Sequence, residues 1–357
     1  MFEWLKRSWR EHEWRKAFHR VHPGLSEHRG EPERIRLILG PGRSGTSWLS
    51  SVLSRSSTPL RFVSEPLHPF RPKLPYSSRY DHTALPYCHS IEEDSPLVRV
   101  YMALTSRDDS LSGVLPEDTL RRDDKDFSLC LIKEVHSLLA TEALLKMLRC
   151  PVIILTRDPI YVVDSLMSFR GLNAPIWRNE ANYVRTKLFL SRFFGGESEM
   201  IEEAYRKNDR ELSKRTRLIT EKVLTVAVMN KMLHVLSNDM HIAHHIEYEE
   251  LCKKPSETVS RAAQILSLEV SGEMVAYLGK TQRKRADDVG PYSVFRETSK
   301  QTVRPLRFVT TEEAEAARRS LRELGLAEHS LGAPAHVRHV RTNDGLVREK
   351  ELQCRSL

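Results

Sequence analysis

Three segments of this chain hold residue types that could anchor phosphate groups or take up a proton. The first is Gly40-Pro-Gly-Arg-Ser-Gly-Thr-Ser47. Glycines allow the backbone to turn with positive φ, so that successive amide N–H groups converge on one point, and the positive end of a following helix adds to the attraction for an anion. Ser44, Thr46 and Ser47 add hydroxyl donors, Gly42 and Gly45 supply the turns, and Arg43 supplies the charge. The second is Arg157-Asp-Pro159 with Ser165, where a guanidinium closes the apolar run Pro151–Thr156 and a serine follows about two turns into the helix that Pro159 starts. A guanidinium so placed suits bidentate phosphate binding, and a serine hydroxyl adds a donor. The plain alternative is an ion pair of Arg157 with Asp158 or another surface acid. The third is Phe62-Val-Ser-Glu-Pro-Leu-His68, in which Glu65 and His68 can each act as a base; His136, in Lys133-Glu-Val-His136, is a further one.

The first segment follows GxxxxGK[ST] in its glycines, Gly40 and Gly45, and in the hydroxyl of Ser47, but Thr46 stands where a lysine would reach the β- and γ-phosphates. The cation has moved forward to Arg43. Such a loop should cradle a nucleotide phosphate without processing a γ-phosphate in the usual way. The ordinary alternative is a glycine-rich strand-to-helix turn with a hydroxyl cap.

The elements that must hold these segments are legible as alternation. Strand-like runs at Arg34–Leu39, Leu60–Val63, Leu129–Lys133, Val152–Thr156 and Met240–Ile246 are interleaved with helical periodicity at Trp48–Ser54, Thr141–Arg149, Val162–Phe169, Arg217–Leu236 and Pro255–Leu266. This predicts an α/β fold with a mainly parallel central sheet flanked by helices on both faces. Ligands of such sheets bind at strand carboxyl ends, where both phosphate segments fall. One domain over 34–331 is expected, preceded by a basic helical segment, 1–33, and followed by a polar, poorly ordered tail, 332–357. The pattern fails between Pro66 and Phe127, which reads as an irregular insertion, either a lid and acceptor-binding region or a solvated loop.

The net charge of +8 suits an anionic ligand. The basic residues are interleaved with acids rather than gathered into a stripe, which argues against nucleic acid as a partner. Cys88, Cys130, Cys150, Cys252 and Cys354 show neither CxxC nor metal-ligand spacing, and read as reduced thiols of a cytoplasmic protein with no bound metal. Charges interrupt the N-terminus throughout, so it has no signal-peptide centre. Its Trp4, Trp9 and Trp14 lie among basic residues but form a broken stripe, which leaves peripheral membrane contact open beside packing on the domain or a partner.

Taken together, Arg43-Ser-Gly-Thr-Ser47 resembles the 5′-phosphosulfate loop, and Arg157-Asp-Pro…Ser165 the 3′-phosphate element, of sulfotransferases that use 3′-phosphoadenosine-5′-phosphosulfate (PAPS). Those enzymes have a P-loop-containing nucleotide-hydrolase-like fold, which the resemblance implies here. His245-Ile-Glu-Tyr-Glu-Glu-Leu251 followed by Pro255-Ser-Glu-Thr-Val259 is similar to the family's tyrosine-acid-leucine segment and late helix. Phe62–His68 resembles the Glu-Pro-Leu segment of carbohydrate sulfotransferases of the N-acetylglucosamine 6-O and chondroitin type, whose glutamate is the suspected base. The resemblance covers roughly residues 34 to 325. It implies PAPS as donor, adenosine 3′,5′-bisphosphate as product, Glu65 as base, and phosphate contacts from Gly42, Arg43, Ser44, Gly45, Thr46, Ser47, Arg157 and Ser165. The family's tryptophan near its C-terminal nucleotide contact is missing from Ser299–Leu306, which leaves the adenine contacts unassigned. The absence of a Golgi-type anchor points to a bacterial-type cytosolic member.

The expected reaction is in-line transfer of a sulfuryl group to a hydroxyl, carbohydrate or glycoconjugate in character, with no metal needed because fixed donors can neutralise the leaving phosphate. Arg43 and the loop amides would serve that phosphate. Lys133, at a neighbouring strand end, would contact the sulfate or simply lie along the surface. Two other classes stay open: a P-loop kinase or NTPase in which Asp158 holds a metal, and a nucleotide-binding adaptor without activity. Neither the acceptor nor the oligomeric state can be read from the residues.

Overall fold

The strands that lead into Gly40–Ser47 and Arg157–Ser165 are buried along their whole length. The computed structural model describes residues 31–66, 96–105, 120–170, 184, 187–283 and 305–326. Strands β1 (Ile35–Leu39), β2 (Leu60–Ser64), β3 (Leu120–Asp123), β4 (Leu129–Glu134), β5 (Val152–Thr156) and β6 (Ala243–Glu247) form one sheet in the order β3-β2-β4-β1-β5-β6. Every pairing is parallel except that of β3 with β2. All residues of β1 and β5 are buried, which is why these runs are apolar except for Arg36, whose guanidinium donates to the Leu266, Glu33 and Ile35 carbonyls, and the terminal Thr156.

Eleven helices are described in the chain: α1 (Thr46–Leu53), α2 (Pro96–Ala103), α3 (Thr141–Leu148), α4 (Pro159–Arg170), α5 (Lys187–Phe194), α6 (Ser198–Glu211), α7 (Lys214–Asp239), α8 (Tyr248–Lys253), α9 (Pro255–Ile265), α10 (Gly272–Arg283) and α11 (Thr311–Glu323). Their starts follow local chemistry. Proline opens α9, Ser213 accepts from Thr216 N before α7, and Thr310 with Glu313 forms a capping box before α11. Alternation along β1 assigns the two faces: Ile35, Leu37 and Leu39 join a cluster with residues of α3, α4, α7 and α11, while Ile38 joins one with α1, α8 and α9. The chain thus has the expected α/β architecture, a mainly parallel sheet with helices on both faces. A phosphate-type loop following its central strand gives it the P-loop form.

Three local readings change. The run Met240–Ile246 yields strand only from Ala243, because Met240 N bonds Leu236 O and closes α7, and Ala243 N bonds Met240 O in a turn. The segment 66–127, read as irregular, contributes α2 and the antiparallel edge strand β3; Val98, Val100 and Tyr101 of α2 are buried. Strong proline and charge content hid this short helix, whose apolar face is satisfied only by the core. Helices α5, α6, α8, α10 and α11 also went unread, several of them too polar to announce a core face. Residues 1–30 and 327–357, with Cys88 and Cys354, lie outside the described residues.

Cys130, Cys150 and Cys252 are free and buried. Burial pushes the first two thiols up to about 12, so they are packed apolar groups rather than nucleophiles. Among the described residues no helix is long and apolar enough to cross a membrane.

Gly40 ends β1 where β5 approaches most closely. A Cβ there would stand 2.1 Å from the Leu155 carbonyl oxygen, which neither strand can yield without separating. A Cβ on Gly42 would meet nothing within 4 Å. We therefore expect Gly40→Ala to lose about 1–3 kcal/mol of stability in urea unfolding, and Gly42→Ala to stay within about 0.5 kcal/mol of the parent. Equal effects at the two positions would contradict the close approach.

Candidate active site

The loop between β1 and α1 makes its turns with Arg43 at φ 72° and Gly45 at φ 93°. Positive φ is natural for glycine and strained for arginine, so Arg43 is held by partners. Its Nε donates to Ser165 Oγ at 3.0 Å, and its carbonyl accepts from Arg157 Nη1 at 3.1 Å. The two phosphate segments, more than a hundred residues apart in the chain, are thereby one cluster. Arg157 is in turn fixed through its own carbonyl, which accepts from Asn230 Nδ2 on α7 at 2.9 Å, and by its guanidinium lying 4.4 Å from the ring centre of Tyr248.

Several donors in this cluster are unspent. Ser44 Oγ and the Nε and Nη2 of Arg157 are buried with no hydrogen-bond partner. Buried polar groups are normally satisfied, so three orphaned donors in one polar cluster fit an anion that supplies the missing oxygens. Thr46 is buried and Ser47 exposed.

Ser165 owes its position to α4, and the residue before it explains how α4 is tied down. Asp164 is fully buried, and its Oδ1 accepts from the amides of Arg307, Phe308 and Val309 at 2.9, 2.8 and 3.1 Å. This nest anchors the approach to α11 beside the serine. Asp164 and Asn230 were not singled out in the sequence, although each is a polar residue inside an apolar helical stretch, Tyr161–Met167 and Val223–Leu233. That anomaly is the signal which could have found them.

Asp158 bears on the metal-dependent alternative. Its Oδ1 accepts from Ile160 N at 2.8 Å, capping α4, and its own N donates to Glu249 Oε1 at 3.2 Å. Burial pushes both carboxyls upward, Asp158 and Glu249 alike. Asp158 is therefore a buried helix cap rather than one half of a surface ion pair.

The second cluster lies at the ends of β2 and β4. Glu65, at φ 53°, leaves β2 with its N bonded to Lys133 O at 2.7 Å. Its Oε1 takes the Lys133 ammonium, and Oε2 stands 3.5 Å from His136 Nε2. Lys133 is 1% exposed and is no surface lysine. Glu134 shapes the turn that delivers His136, because its Oε1 accepts from the amides of Val135 and His136 at 2.7 and 2.6 Å. Since β4 separates β2 from β1, the Glu65 cluster and the phosphate loop lie roughly 10 Å apart along the same sheet edge, two strand spacings. His68 lies outside the described residues, as do residues 299–304.

No protein family matches the chain by sequence, and no curated protein does. Among solved structures, the chain is similar to mouse sulfotransferase SULT7A1 complexed with PAP, with 14% identity, 88% of this chain and 94% of that one covered, and a TM-score of 0.40. It is also similar to the sulfotransferase domain from the curacin biosynthetic pathway, with 16% identity, 81% and 97% covered, and a TM-score of 0.37. Likeness at this level bears no weight in assigning the site, which rests on its own residues.

The Glu65 carboxyl is pulled two ways. Burial raises it, but the closeness of His136 and the charges of Lys133 and His136 outweigh burial and hold it well below the usual glutamate value of 4.5. A carboxyl depressed on folding stabilises the protein above the unfolded value, and that stability is lost as pH falls below it. In thermal melts from pH 7 to pH 3, Glu65→Gln should therefore lose part of the stability difference from the parent as pH drops below about 4.5. A difference that stays constant over this range would show that the Lys133 and His136 contacts are not made in solution.

Proposed function

We propose that this chain is a PAPS-dependent sulfotransferase acting on a hydroxyl acceptor, carbohydrate or glycoconjugate in character. The observation that carries the reading is the joining of Arg43, Ser165 and Arg157, with the unpartnered Ser44 Oγ and Arg157 Nε and Nη2 beside them. One segment suits a phosphate at the loop and the other suits a phosphate near Arg157, which is the pairing that a 3′,5′-substituted nucleotide demands. Gly42, Gly45, Thr46 and Ser47 would complete the loop side. When bound, PAPS would supply the sulfuryl group: the acceptor oxygen bonds to sulfur as the bond from sulfur to the phosphate oxygen breaks, releasing adenosine 3′,5′-bisphosphate.

The chain's own contribution is charge and proton handling. Arg43 and the loop amides stabilise negative charge that grows on the departing phosphate, an effect of about 2.7–4 kcal/mol per well-placed donor. Lys133 supplies a second cation on the acceptor side. Glu65 alone is a weak base, since its carboxyl is held low by Lys133 and His136. The pairing instead favours His136 as the group that takes the acceptor proton, with Glu65 orienting the imidazole and stabilising its cation, in the manner of a carboxylate behind a catalytic histidine. The kinase reading is weaker: Thr46 replaces the phosphate lysine and Asp158 is spent on a helix cap.

The acceptor site belongs with the Glu65 cluster and the adjoining segment 66–127. A cytoplasmic setting completes the proposal. Calorimetry should give tight binding of adenosine 3′,5′-bisphosphate and weaker binding of both adenosine 5′-phosphate and ATP with Mg²⁺; indifference to the 3′-phosphate would sink the reading. In a sulfuryl-transfer assay over a panel of hydroxyl acceptors, His136→Asn and Glu65→Gln should keep nucleotide binding while each loses about 10²–10⁴ in rate. Full activity in Glu65→Gln would remove this pair from the chemistry.

A further inference from the structure

Tyr248 opens α8 where β6 ends, and its ring is 8% exposed. One of its contacts is with the phosphate loop: a Cβ on Gly45 would fall 2.4 Å from Tyr248 Cδ2 and 2.6 Å from Cε2, so the ring occupies the space a side chain would need. Another is with Arg157, whose guanidinium carbon lies 4.4 Å from the ring centroid, nearer than to Tyr161 at 5.7 Å.

Two constraints therefore meet in one rigid ring. Gly45 has φ 93° and starts α1, so whatever presses on it sets where the loop amides point. Arg157 gives Nη1 to the Arg43 carbonyl, but its Nε and Nη2 have no partner, so no hydrogen bond fixes the edge that would face a ligand. A planar guanidinium against an aromatic face keeps its plane while leaving its N–H edge free. The ring thus does for that edge what a hydrogen bond would do, without consuming a donor.

We infer that Tyr248 is a positioning residue for the nucleotide site, a wedge that sets the phosphate loop at Gly45 and the free guanidinium edge of Arg157 in one fixed relation. The inference rests on the nucleotide reading above but concerns a residue with no assumed contact to ligand or reacting atoms. The ring, rather than the hydroxyl, carries the role. Its loss acts on discrimination: a guanidinium without its platform spends its free N–H groups elsewhere, and the 3′-phosphate no longer gains over its absence.

The test is the ratio of affinities for adenosine 3′,5′-bisphosphate and adenosine 5′-phosphate, measured by calorimetry on the full chain. Tyr248→Leu should lower this ratio by at least about tenfold, the share of one charge-assisted hydrogen bond. Tyr248→Phe, which restores the ring without the hydroxyl, should hold the ratio within about twofold of the parent. Destabilisation alone would not move the ratio, since both nucleotides bind the same folded protein. If Tyr248→Leu does not melt cooperatively, Tyr248→His, with its smaller flat ring, carries the same comparison and should give an intermediate ratio. A parent that prefers the bisphosphate while the Leu or His variant keeps the parent's ratio overturns the inference and spares the nucleotide reading. A parent without that preference overturns both.

Discussion

Where β1 and β5 meet at Gly40, the Leu155 carbonyl comes so near that no side chain fits, and the geometry of the site descends from that contact. Leu155 is two residues before Arg157. Holding the strands together at this point delivers the arginine beside the loop that leaves β1, where it reaches the Arg43 carbonyl. The contact lies in the middle of the sheet, with both strands buried on both faces, so helices from either side press it closed. A close-packed interior does not deform by degrees, which is why one backbone approach can fix a polar cluster of four or five side chains.

Around that contact the polar residues fall into a supporting set and a presenting set. Asp164 collects three amides, Asp158 caps α4, Asn230 holds the Arg157 carbonyl, and Glu134 shapes the turn before His136. Asp164, Asp158 and Glu134 have these bonds within the protein, and Asn230 is held through its Nδ2 while its Oδ1 is buried without a partner. Ser44 Oγ and two nitrogens of Arg157 are buried without hydrogen-bond partners. An anion beside Ser44 and Arg157 would supply the oxygens that these three donors lack. The Glu65, Lys133 and His136 group behaves differently, since its charges answer one another and poise a proton site rather than an anion site.

Much of this was legible in the residues. Runs such as Ile35–Leu39 and Val152–Thr156 show themselves as strands because a strand covered on both faces is predominantly apolar, whatever its neighbours are. Gly40–Ser47 announces a loop because positive φ and a helix start leave few residue types to choose from. What escaped were elements whose cause is elsewhere in the chain. Helix α2 and strand β3 sit within a segment rich in prolines and charges, and exist because the sheet edge and the core offer them a surface. Asn230 and Asp164 stand out as polar residues in apolar stretches and Tyr248 lies within a motif, but only their neighbours in space give each of them a task.

The sequence by itself determined the alternation of strands and helices, the turn-forming and donor-rich character of Gly40–Ser47, the guanidinium at the end of the Val152–Thr156 run, and the presence of several candidate bases. These follow from period, backbone freedom and charge, which are local. Only the tertiary structure decided that Arg43, Ser165 and Arg157 touch, that Tyr248 wedges between Gly45 and Arg157, and that Glu65 is bound to Lys133 and His136 and so cannot be a free carboxylate. Strand order makes that decision: β1 lies between β4 and β5, and no local pattern along the chain records which strands become neighbours.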